Sequence, residues 1–334
     1  MREADIRPAD LLNEYLRLSA EDAAQWFSDT TKFEHRACPG CGGDKPNTAF
    51  EKSGFSFAHC QTCGTLYANP VPAAGPLSEF YRDSPSQRYW GEAFFPAVAE
   101  ARREHIFRPR VARVRAMANE MMGAIERVVD VGAGAGVFLE EAAAAGLGTR
   151  QCAIEPNADL VATCRRKGFD VFEGFAAEAA ADPAWGDTAD LVTCFEVIEH
   201  VADCQAFVTE IASLARPGGT ILLTGLCGTG FDIITLGRHS KAVSPPHHLN
   251  FLSRAGVERL LQRCGLESLQ FLTPGELDVD IVANTDRELG AVIDDPFVRH
   301  LLDAASQETR DSFQRFLADN GLSSHMWVTA RKAA

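Results

Sequence analysis

Short apolar runs alternate with amphipathic stretches through most of this chain. The runs are rich in Val, Ile, Leu and Cys and lie at 127–131, 151–155, 169–172, 190–195 and 220–225. Segments with a helical spacing of apolar positions separate them, and this alternation predicts a parallel sheet with helices on both faces. Two later runs, 266–272 and 325–331, predict two further strands. A helical insertion is predicted between them at 286–320.

The N-terminal part of the chain follows a different pattern. Residues 8–31 and 76–122 have the apolar spacing of amphipathic helices. The second stretch carries a cluster of aromatic side chains, which are Phe80, Tyr81, Tyr89, Trp90, Phe94 and Phe95. Such a cluster packs against the main domain or forms a lid over its ligand site, and the two roles are compatible. A run of arginines from Arg102 to Arg115 predicts a solvated helix face or, alternatively, a contact for a phosphorylated or nucleotide-linked ligand.

A glycine turn follows the apolar run at 127–131. Asp130 lies two residues before Gly132, and Gly134 and Gly136 follow at alternate positions. The dinucleotide fingerprint G-x-G-x-x-G would need glycine at position 137 or 139, and neither position has one. A carboxylate at Asp130 would repel a pyrophosphate, but it would attract a positive amino group. We therefore interpret the turn as a site for S-adenosylmethionine, which has an amino group, a sulfonium and no phosphate.

The next strand supplies a second carboxylate. Glu155 ends the run at 151–155, about 20 residues beyond the glycines, where an acidic side chain can accept both hydroxyls of a ribose. Phe195 and Glu196 follow the fourth strand, and ligands of such sheets bind beyond the carboxyl ends of the strands. The predicted cofactor site therefore comprises Asp130, Gly132, Gly134, Gly136, Glu155, Phe195 and Glu196.

These segments, with Pro217-Gly218-Gly219 before the fifth strand, occur in an order that resembles the class I (Rossmann-like) S-adenosylmethionine-dependent methyltransferases. The resemblance covers residues 110–275 and the last strand. It implies an α/β fold with a doubly wound seven-stranded sheet, S-adenosylmethionine as cofactor, and methyltransferase activity. Family members that methylate adenine or amide nitrogens carry Asn/Asp-Pro-Pro-Tyr/Phe after the fourth strand. Phe195-Glu196-Val197-Ile198 stands there in this chain, which disfavours such acceptors.

Four cysteines form two closely spaced pairs near the N-terminus. Cys38 and Cys41 enclose two residues, as do Cys60 and Cys63, and a glycine follows each pair. That glycine permits the left-handed backbone of a tight turn, so each pair can aim two thiolates at one point. Four thiolates suit Zn²⁺, and the spacing predicts a zinc ribbon. Because a four-cysteine set leaves no open position on the ion, we predict structural rather than catalytic zinc.

The chain also resembles a bacterial group in which such a ribbon precedes a methyltransferase domain. Asn69-Pro70-Val71-Pro72, Phe80-Tyr81 and the segment 245–251 carry this resemblance. Many members act in pathways for surface polysaccharides or modified sugars, which implies a sugar or sugar-like acceptor. The predicted organisation is an N-terminal helical segment at 1–37, the ribbon at 38–70, a helical linker or lid at 71–120, and the methyltransferase domain at 121–334.

The composition of the chain limits the kinds of partner that it is expected to bind. The chain has 334 residues and a net charge of −14, from 32 basic and 46 acidic side chains, which is a poor footprint for nucleic acid. No apolar stretch approaches the ~20 residues of a membrane span, and no signal peptide is apparent. We therefore expect a cytoplasmic protein without membrane partners, whose remaining cysteines are reduced core residues. This interpretation leaves room for a homodimer.

Two predicted loops at the carboxyl edge of the sheet carry histidines. His200 follows the fourth strand, and His247 and His248 lie on a segment stiffened by two prolines after the fifth strand. Because histidine titrates near neutrality, all three are candidates for the base that deprotonates a hydroxyl acceptor. Each also has a structural alternative, which is to cap a helix or to bond the loop backbone. Two histidines alone make an incomplete metal site that would need a nearby carboxylate.

Three functions are compatible with the sequence. The first is methyl transfer to a hydroxyl, or to a carbon, of a sugar, sugar nucleotide or related small molecule. The second is methylation of rRNA or tRNA, with the ribbon as an RNA-binding module. The third is a non-enzymatic scaffold, against which the intact Asp130, Glu155 and glycine turn argue.

Overall fold

A computed structural model describes residues 2–334 of the chain, so Met1 lies outside it. The N-terminal segment forms two helices, α1 (Glu3–Ile6) and α2 (Ala9–Trp26), followed by a 3-10 turn at Thr30–Lys32. The backbone N–H of Glu3 donates to Oδ2 of Asp280 at 2.7 Å, and Nδ2 of Asn284 donates to Oε2 of Glu3 at 2.9 Å. The start of the chain is therefore bonded to the insertion near its end.

Five short strands form the ribbon region. They are β1 (Phe33–Glu34), β2 (Pro46–Lys52), β3 (Phe55–Cys60), β4 (Leu66–Ala68) and β5 (Val71–Pro72). A helical region follows, in which α3 (Ala74–Asp83), α4 (Pro85–Tyr89), α5 (Phe95–Arg102) and α6 (Arg108–Met121) are joined by π-helical turns at Trp90–Phe94 and Arg103–Phe107. β2 and β3 form an antiparallel hairpin, and the predicted helical stretch at 76–122 is present.

The rest of the chain alternates strands with helices. Its elements are β6 (Arg127–Val131), α7 (Val137–Ala144), β7 (Arg150–Glu155), α8 (Ala158–Arg166), β8 (Asp170–Glu173), α9 (Ala176–Ala181), β9 (Ala189–Cys194), α10 (Cys204–Leu214), β10 (Ala215–Leu226), α11 (Phe231–Leu236), β11 (Asn250–Phe251), α12 (Arg254–Arg263), β12 (Leu266–Leu272), α13 (Asp278–Leu289), α14 (Pro296–Asp303), α15 (Gln307–Asp319) and β13 (His325–Lys332). The insertion begins at Asp278, eight positions before the predicted start at 286.

Seven of these strands form one mixed sheet in the order β12-β13-β10-β9-β6-β7-β8. The neighbours from β8 to β10 are parallel, and β13 runs antiparallel to both β10 and β12. This arrangement is the one expected of a class I methyltransferase sheet, and it confirms the predicted fold class. Among residues 2–334, no helix has both the length and the apolar character that a membrane crossing requires.

The two faces of the sheet carry separate hydrophobic cores because successive side chains of a strand point in opposite directions. Val129 packs on one face with Val208 of α10 and Leu260 of α12. Val128 packs on the other face with Val114 of α6 and Phe138 of α7. The helical layers hold the strands rigidly, so the loops at the carboxyl edge of the sheet have a fixed base.

The ribbon is built into the same body as this sheet. A second sheet has the order β11-β4-β3-β2, and its edge strand β11 comes from the segment after β10. Asn250 pairs with Tyr67, and Phe251 pairs with Leu66. Part of the predicted methyltransferase region therefore completes the ribbon sheet.

Candidate active site

The three glycines of the turn after β6 have different surroundings. All have a positive φ, at 72° for Gly132, 57° for Gly134 and 70° for Gly136. A Cβ on Gly132 would lie 2.9 Å from Cγ2 of Val197, and one on Gly136 would lie 3.0 Å from Sγ of Cys164. A Cβ on Gly134 would meet no heavy atom of the described residues within 4 Å. Gly134 therefore faces open space, where a ligand can approach the bare backbone.

Two carboxylates border this turn. Oε2 of Glu155 accepts from the backbone N–H of Gly134 at 2.9 Å, and Oε1 accepts from that of Asn157 at 3.0 Å. Burial raises the Glu155 pKa, and these two hydrogen bonds oppose the shift. Oδ1 of Asp130 accepts from Oγ1 of Thr193 at 2.7 Å, and burial raises the Asp130 pKa to about 7. Each carboxylate has further lone pairs, so both can take ligand hydrogen bonds.

Arg110 lies between these carboxylates and the loop after β9. Its side chain is buried, and its guanidinium carbon lies 4.3 Å from the ring centroid of Phe195. Burial lowers the Arg110 pKa, whereas Glu196 and Asp130 act in the opposite direction. The guanidinium of Arg110 and the carboxylate of Asp130 thus both lie near the glycine turn. That pair suits a zwitterionic ligand, which carries a carboxylate and an ammonium group.

Glu196 lies two residues beyond the end of β9, in a left-handed conformation with a φ of 55°. Its Oε1 contacts Nε2 of His325 at 2.7 Å and Oγ1 of Thr224 at 2.5 Å, and Arg110 lies at 3.4 Å. Burial alone would raise the Glu196 pKa, but His325, Arg110 and Thr224 together hold it well below its usual range. Glu196 is therefore ionised and engaged with the protein at this edge of the sheet.

His200, His247 and His248 lie together, but their surroundings differ. His247 is fully buried, with Nε2 at 2.9 Å from Oγ of Ser86 and Nδ1 at 3.3 Å from Nε2 of Gln87. His200 and His248 are partly exposed, and their ring centroids are 4.8 Å apart. Burial lowers the pKa of His200 to about 3 and that of His248 to about 4, so both imidazoles are neutral at pH 7.

Glu199 lies beside His200 and His248. Its carboxylate and a ring nitrogen of each histidine lie within 4.8 Å of one another. Oε2 of Glu199 is buried, with no hydrogen-bond partner among residues 2–334, and burial raises the Glu199 pKa. Glu199 was not among the site residues predicted from the sequence. We refer to Glu199, His200 and His248 as the Glu-His-His cluster.

A buried arginine lies in the helical region that follows the ribbon. Arg102, at the end of α5, lies over the rings of Trp90 and Phe95, with its guanidinium carbon 5.7 Å from each ring centroid. Its Nε is buried and has no hydrogen-bond partner in the described part of the chain. Burial lowers the Arg102 pKa to about 9, the nearby Arg7 and Arg110 act in the same direction, and Glu196 acts in the opposite direction. Arg102 therefore places a buried positive charge among aromatic rings of this helical region.

The four ribbon cysteines converge as predicted. Sγ of Cys38 lies 3.6 Å from that of Cys63, and Sγ of Cys41 lies 3.5 Å from that of Cys60. All four sulfurs lie within 4.8 Å of one another. These separations are too long for disulfides and close to the ~3.8 Å edge of a tetrahedron with Zn–S bonds of about 2.3 Å. The donor set and its geometry therefore fit a zinc ion.

The ribbon is bonded directly to the histidine-bearing loops. The guanidinium of Arg36 donates to the carbonyls of Ala202 and Leu249, at 2.8 Å and 3.2 Å. Oγ of Ser253 donates to the carbonyl of Cys63 at 2.5 Å. The ribbon thus supports the segment that carries His247 and His248, although its cysteines lie outside the ligand space.

Besides Glu199, two residues of the site were not singled out from the sequence. Arg110 was part of an arginine run interpreted as a solvated face or as a contact for a phosphorylated or nucleotide-linked acceptor, and it belongs to a buried stripe with Val114 and Met117 at spacings of four and seven. His325 begins the last strand opposite Leu226, so it enters at the edge where the parallel strands end. The spacing around Arg110 was readable in advance, whereas the pairing of His325 depended on the sheet topology.

Comparison with known proteins agrees with this architecture. Residues 97–270 match a family described as a methyltransferase domain. The ubiquinone biosynthesis O-methyltransferase of Methylococcus capsulatus is 34% identical over 159 residues, which are 45% of this chain and 59% of that protein. The protein of the same name from Cupriavidus pinatubonensis is 32% identical over 158 residues, which are 46% of this chain and 56% of that protein. The chain thus spans less than two thirds of the length of these relatives.

Solved structures of related folds were also found. A methyltransferase dependent on S-adenosylmethionine from Archaeoglobus fulgidus has a TM-score of 0.46 and 19% identity, over 71% of this chain and all of that one. Geranyl diphosphate C-methyltransferase from Streptomyces coelicolor has a TM-score of 0.47 and 12% identity, over 73% of this chain and 88% of that one.

The order of the seven strands and the acidic glycine turn at their carboxyl edge define a class I methyltransferase fold. The family match covers more than half of the chain. This chain belongs to the methyltransferase domain family.

Proposed function

We propose that this protein transfers the methyl group of S-adenosylmethionine to a hydroxyl of a small-molecule acceptor. The observation that carries the proposal is the open backbone at Gly134 between the carboxylates of Asp130 and Glu155. A cofactor bound there supplies an activated methyl group on a sulfonium. The chain itself has to hold that cofactor, place the acceptor oxygen in line with the methyl group and remove its proton.

In this proposal, each residue beside the turn binds a different part of the cofactor. Glu155 accepts the ribose hydroxyls, and Gly134 gives the ligand access to the backbone. Asp130 faces the amino group of the methionine part, and Arg110 binds its carboxylate. This assignment matches each charge of the ligand with an opposite charge of the protein, in a region where burial strengthens such pairs.

The acceptor is proposed to lie between the lid and the Glu-His-His cluster. Burial keeps the imidazoles of His200 and His248 neutral at pH 7, so a ring nitrogen of each has a lone pair that can accept the proton of a hydroxyl, and their low pKa makes each a weak base. His247 was also a candidate base, but its ring nitrogens contact Ser86 and Gln87, which favours a positioning role. The similarity to ubiquinone biosynthesis O-methyltransferases supports oxygen rather than carbon as the acceptor atom.

The charge of the lid supports one class of acceptor. Arg102 has a buried Nε without a partner, and Arg7 and Arg110 lie near it. A phosphate or carboxylate on the acceptor would satisfy this group. We therefore favour a sugar nucleotide or another anionic sugar-like metabolite. The net charge of −14 does not favour an RNA acceptor.

We propose that Cys38, Cys41, Cys60 and Cys63 hold a structural zinc ion. The ion would fix the ribbon, which in turn supports the loop of His247 and His248 through Arg36 and Ser253. In this role zinc contributes to folding and does not enter the methyl transfer.

The function is tested by incubating the protein with S-adenosylmethionine that carries a ¹³C-methyl group. The acceptors are sugar nucleotides, neutral sugars, catechols and RNA, and the products are analysed by mass spectrometry. We expect a labelled O-methyl product from an anionic sugar substrate. Labelled methyl on carbon, or on RNA alone, would contradict the proposed acceptor.

A further inference from the structure

The Glu-His-His cluster has the donor set of a metal site. Glu199 is almost fully buried, yet Oε2 has no hydrogen-bond partner among the described residues. A Cβ on Gly225 would lie 3.0 Å from this oxygen, so the absence of a side chain there lets the carboxylate fit. A buried carboxylate oxygen without a partner is costly. A cation between Glu199 and the two imidazoles would remove that cost.

The hydrogen bonds of both histidines leave one ring nitrogen free for a metal. Nδ1 of His248 lies 2.6 Å from the carbonyl oxygen of Ala242. A carbonyl only accepts, so Nδ1 carries the proton and Nε2 keeps its lone pair. The hydroxyl of Tyr81 donates to the carbonyl of His247 at 2.8 Å, and it can accept from Nδ1–H of His200 at 3.3 Å. Metal-binding histidines are typically oriented in this way through the other nitrogen.

The two loops that carry the cluster are held in a fixed register. Nδ2 of Asn250 donates to the carbonyl of Ile198 at 3.0 Å and to that of Val201 at 2.7 Å. The backbone N–H of Leu249 donates to the carbonyl of Glu199 at 2.7 Å. These bonds enclose the cluster on both sides. The three donors are therefore organised in advance, as a metal site of defined geometry requires.

We propose that Glu199, His200 and His248 bind a divalent transition-metal ion and leave a coordination position open to the acceptor. Two neutral imidazoles and one carboxylate suit Zn²⁺, Co²⁺ or Fe²⁺ better than Mg²⁺ or Ca²⁺, which prefer oxygen ligands. A three-residue set with an open position is the pattern of catalytic rather than structural sites. The second site thus differs in kind from the closed set of four cysteines.

The use of this ion rests on the function proposed above, whereas its binding does not. An acceptor hydroxyl at the open position would lose its proton more readily, because a divalent cation lowers the pKa of a bound hydroxyl. The resulting oxyanion forms the new C–O bond as the S–C bond of the sulfonium breaks, and the proton passes to solvent. In the metal-bound protein, His200 and His248 therefore act as ligands rather than as bases.

The site is tested by counting metal ions in purified protein with a filled ribbon. The protein is equilibrated with Zn²⁺, freed of excess ion by dialysis, and analysed by mass spectrometry of the metal. We expect two equivalents for the unaltered chain and one for Glu199→Gln and for His248→Gln. His300→Gln, which changes an exposed histidine on α14, is the matched control and keeps two. One equivalent in the unaltered chain would overturn the proposal.

A second measurement does not depend on how the variants fold. Crystals of the unaltered protein are soaked in Co²⁺, and anomalous scattering is recorded at the cobalt edge. A peak between Glu199, His200 and His248 is expected, and density explained by a protonated carboxyl alone would contradict the site. Binding of S-adenosylhomocysteine is measured on the unaltered protein and on the same variants. If the unaltered protein binds S-adenosylhomocysteine but holds no second ion, the metal assignment fails and the proposed function stands.

Discussion

The backbone N–H of Gly134 donates a hydrogen bond of 2.9 Å to Oε2 of Glu155. This bond joins the glycine turn after β6 to the end of β7, 21 positions later in the chain. It fixes the carboxylate beside the open space at Gly134. The turn after β6 and the end of β7 are therefore bonded to each other, and the proposed cofactor site lies at this edge of the sheet.

The first prediction concerns the glycines of this turn. Gly134→Ala places a Cβ in the open space and in a left-handed conformation, so unfolding free energy should fall by about 1–2 kcal/mol. Affinity for S-adenosylhomocysteine should fall by at least roughly ten-fold, because the methyl group occupies ligand space. Gly136→Ala is the matched control, since its Cβ would meet Cys164 inside the protein. It should lose more stability, and equal effects of the two variants on affinity and stability would contradict the assignment.

The second prediction concerns pH. The Asp130 pKa is about 7 in the free protein because of burial. A ligand ammonium favours the ionised carboxylate, so binding below pH 7 must release a proton. Affinity should therefore rise about ten-fold from pH 6 to pH 8 and then level off. Calorimetry in buffers of different ionisation enthalpy measures both the affinity and the proton release. Asp130→Asn should bind weakly with no such pH dependence, and an unchanged profile would rule out Asp130 as the titrating group.

The third prediction concerns the pair of Glu196 and His325. A double-mutant cycle with Glu196→Gln and His325→Asn should give a coupling energy of roughly 0.5–3 kcal/mol at pH 7. The Glu196 pKa is depressed in the folded state, so this stabilisation is fully present above the unfolded pKa near 4.5 and is lost only as pH falls through the lower folded pKa. Urea denaturation at pH 7 and pH 4 measures the coupling energy at both values, and most of it should remain at pH 4. Coupling that has disappeared at pH 4 would be inconsistent with a Glu196 pKa well below its usual range.

The fourth prediction concerns Arg102. Arg102→Gln should raise the KM for an anionic acceptor by about ten-fold or more, since charge-assisted hydrogen bonds contribute roughly 1.5–3 kcal/mol each. The KM for S-adenosylmethionine should change little. Arg103→Gln is the matched control, because Arg103 pairs with Glu140 and Glu141 away from the site. Steady-state kinetics with both substrates separates the two effects. A KM for acceptor that is the same in both variants would remove the argument for an anionic substrate.

The fifth prediction concerns the ribbon. Replacing Cys38 and Cys63 with serine should remove the zinc ion and lower the melting temperature. Methyl transfer should fall strongly, because the segment of His247 and His248 loses its support. Affinity for S-adenosylhomocysteine should stay within roughly three-fold, since the glycine turn packs on α7 and the main sheet. Cys264→Ser, outside the cluster, should leave the zinc content unchanged. Equal loss of cofactor affinity and turnover would show that the ribbon supports the whole domain instead.

Features with local causes were predictable from the sequence. The strand ending in Asp130, the turn at Gly134 and the strand ending in Glu155 each have a short-range pattern of apolar, glycine and acidic residues. The cysteine pairs are similarly local, because each tight turn is encoded within five residues. The alternation of strands and helices then indicated a parallel sheet, and the resemblance to class I methyltransferases implied its seven-stranded topology.

Features with long-range causes were not predictable in this way. Asn250 pairs with Tyr67 across most of the chain, and His247 is buried against Ser86 because α4 packs over its loop. Periodicity indicates which face of an element is buried, but it does not identify the partner. Glu199 was one residue from a predicted catalytic histidine, yet its unpartnered oxygen is visible only when both loops are in place.

The central claim is that the protein binds its methyl donor in the open space beside Gly134 and Glu155. Isothermal titration with S-adenosylhomocysteine tests it most directly, on the unaltered chain and on Glu155→Ala. We expect saturable one-to-one binding by the unaltered chain. The affinity of the variant should be lower by about 100-fold or more, because two charge-assisted hydrogen bonds to the ribose disappear. No saturable binding by the unaltered protein, or equal affinity for both proteins, would contradict the account.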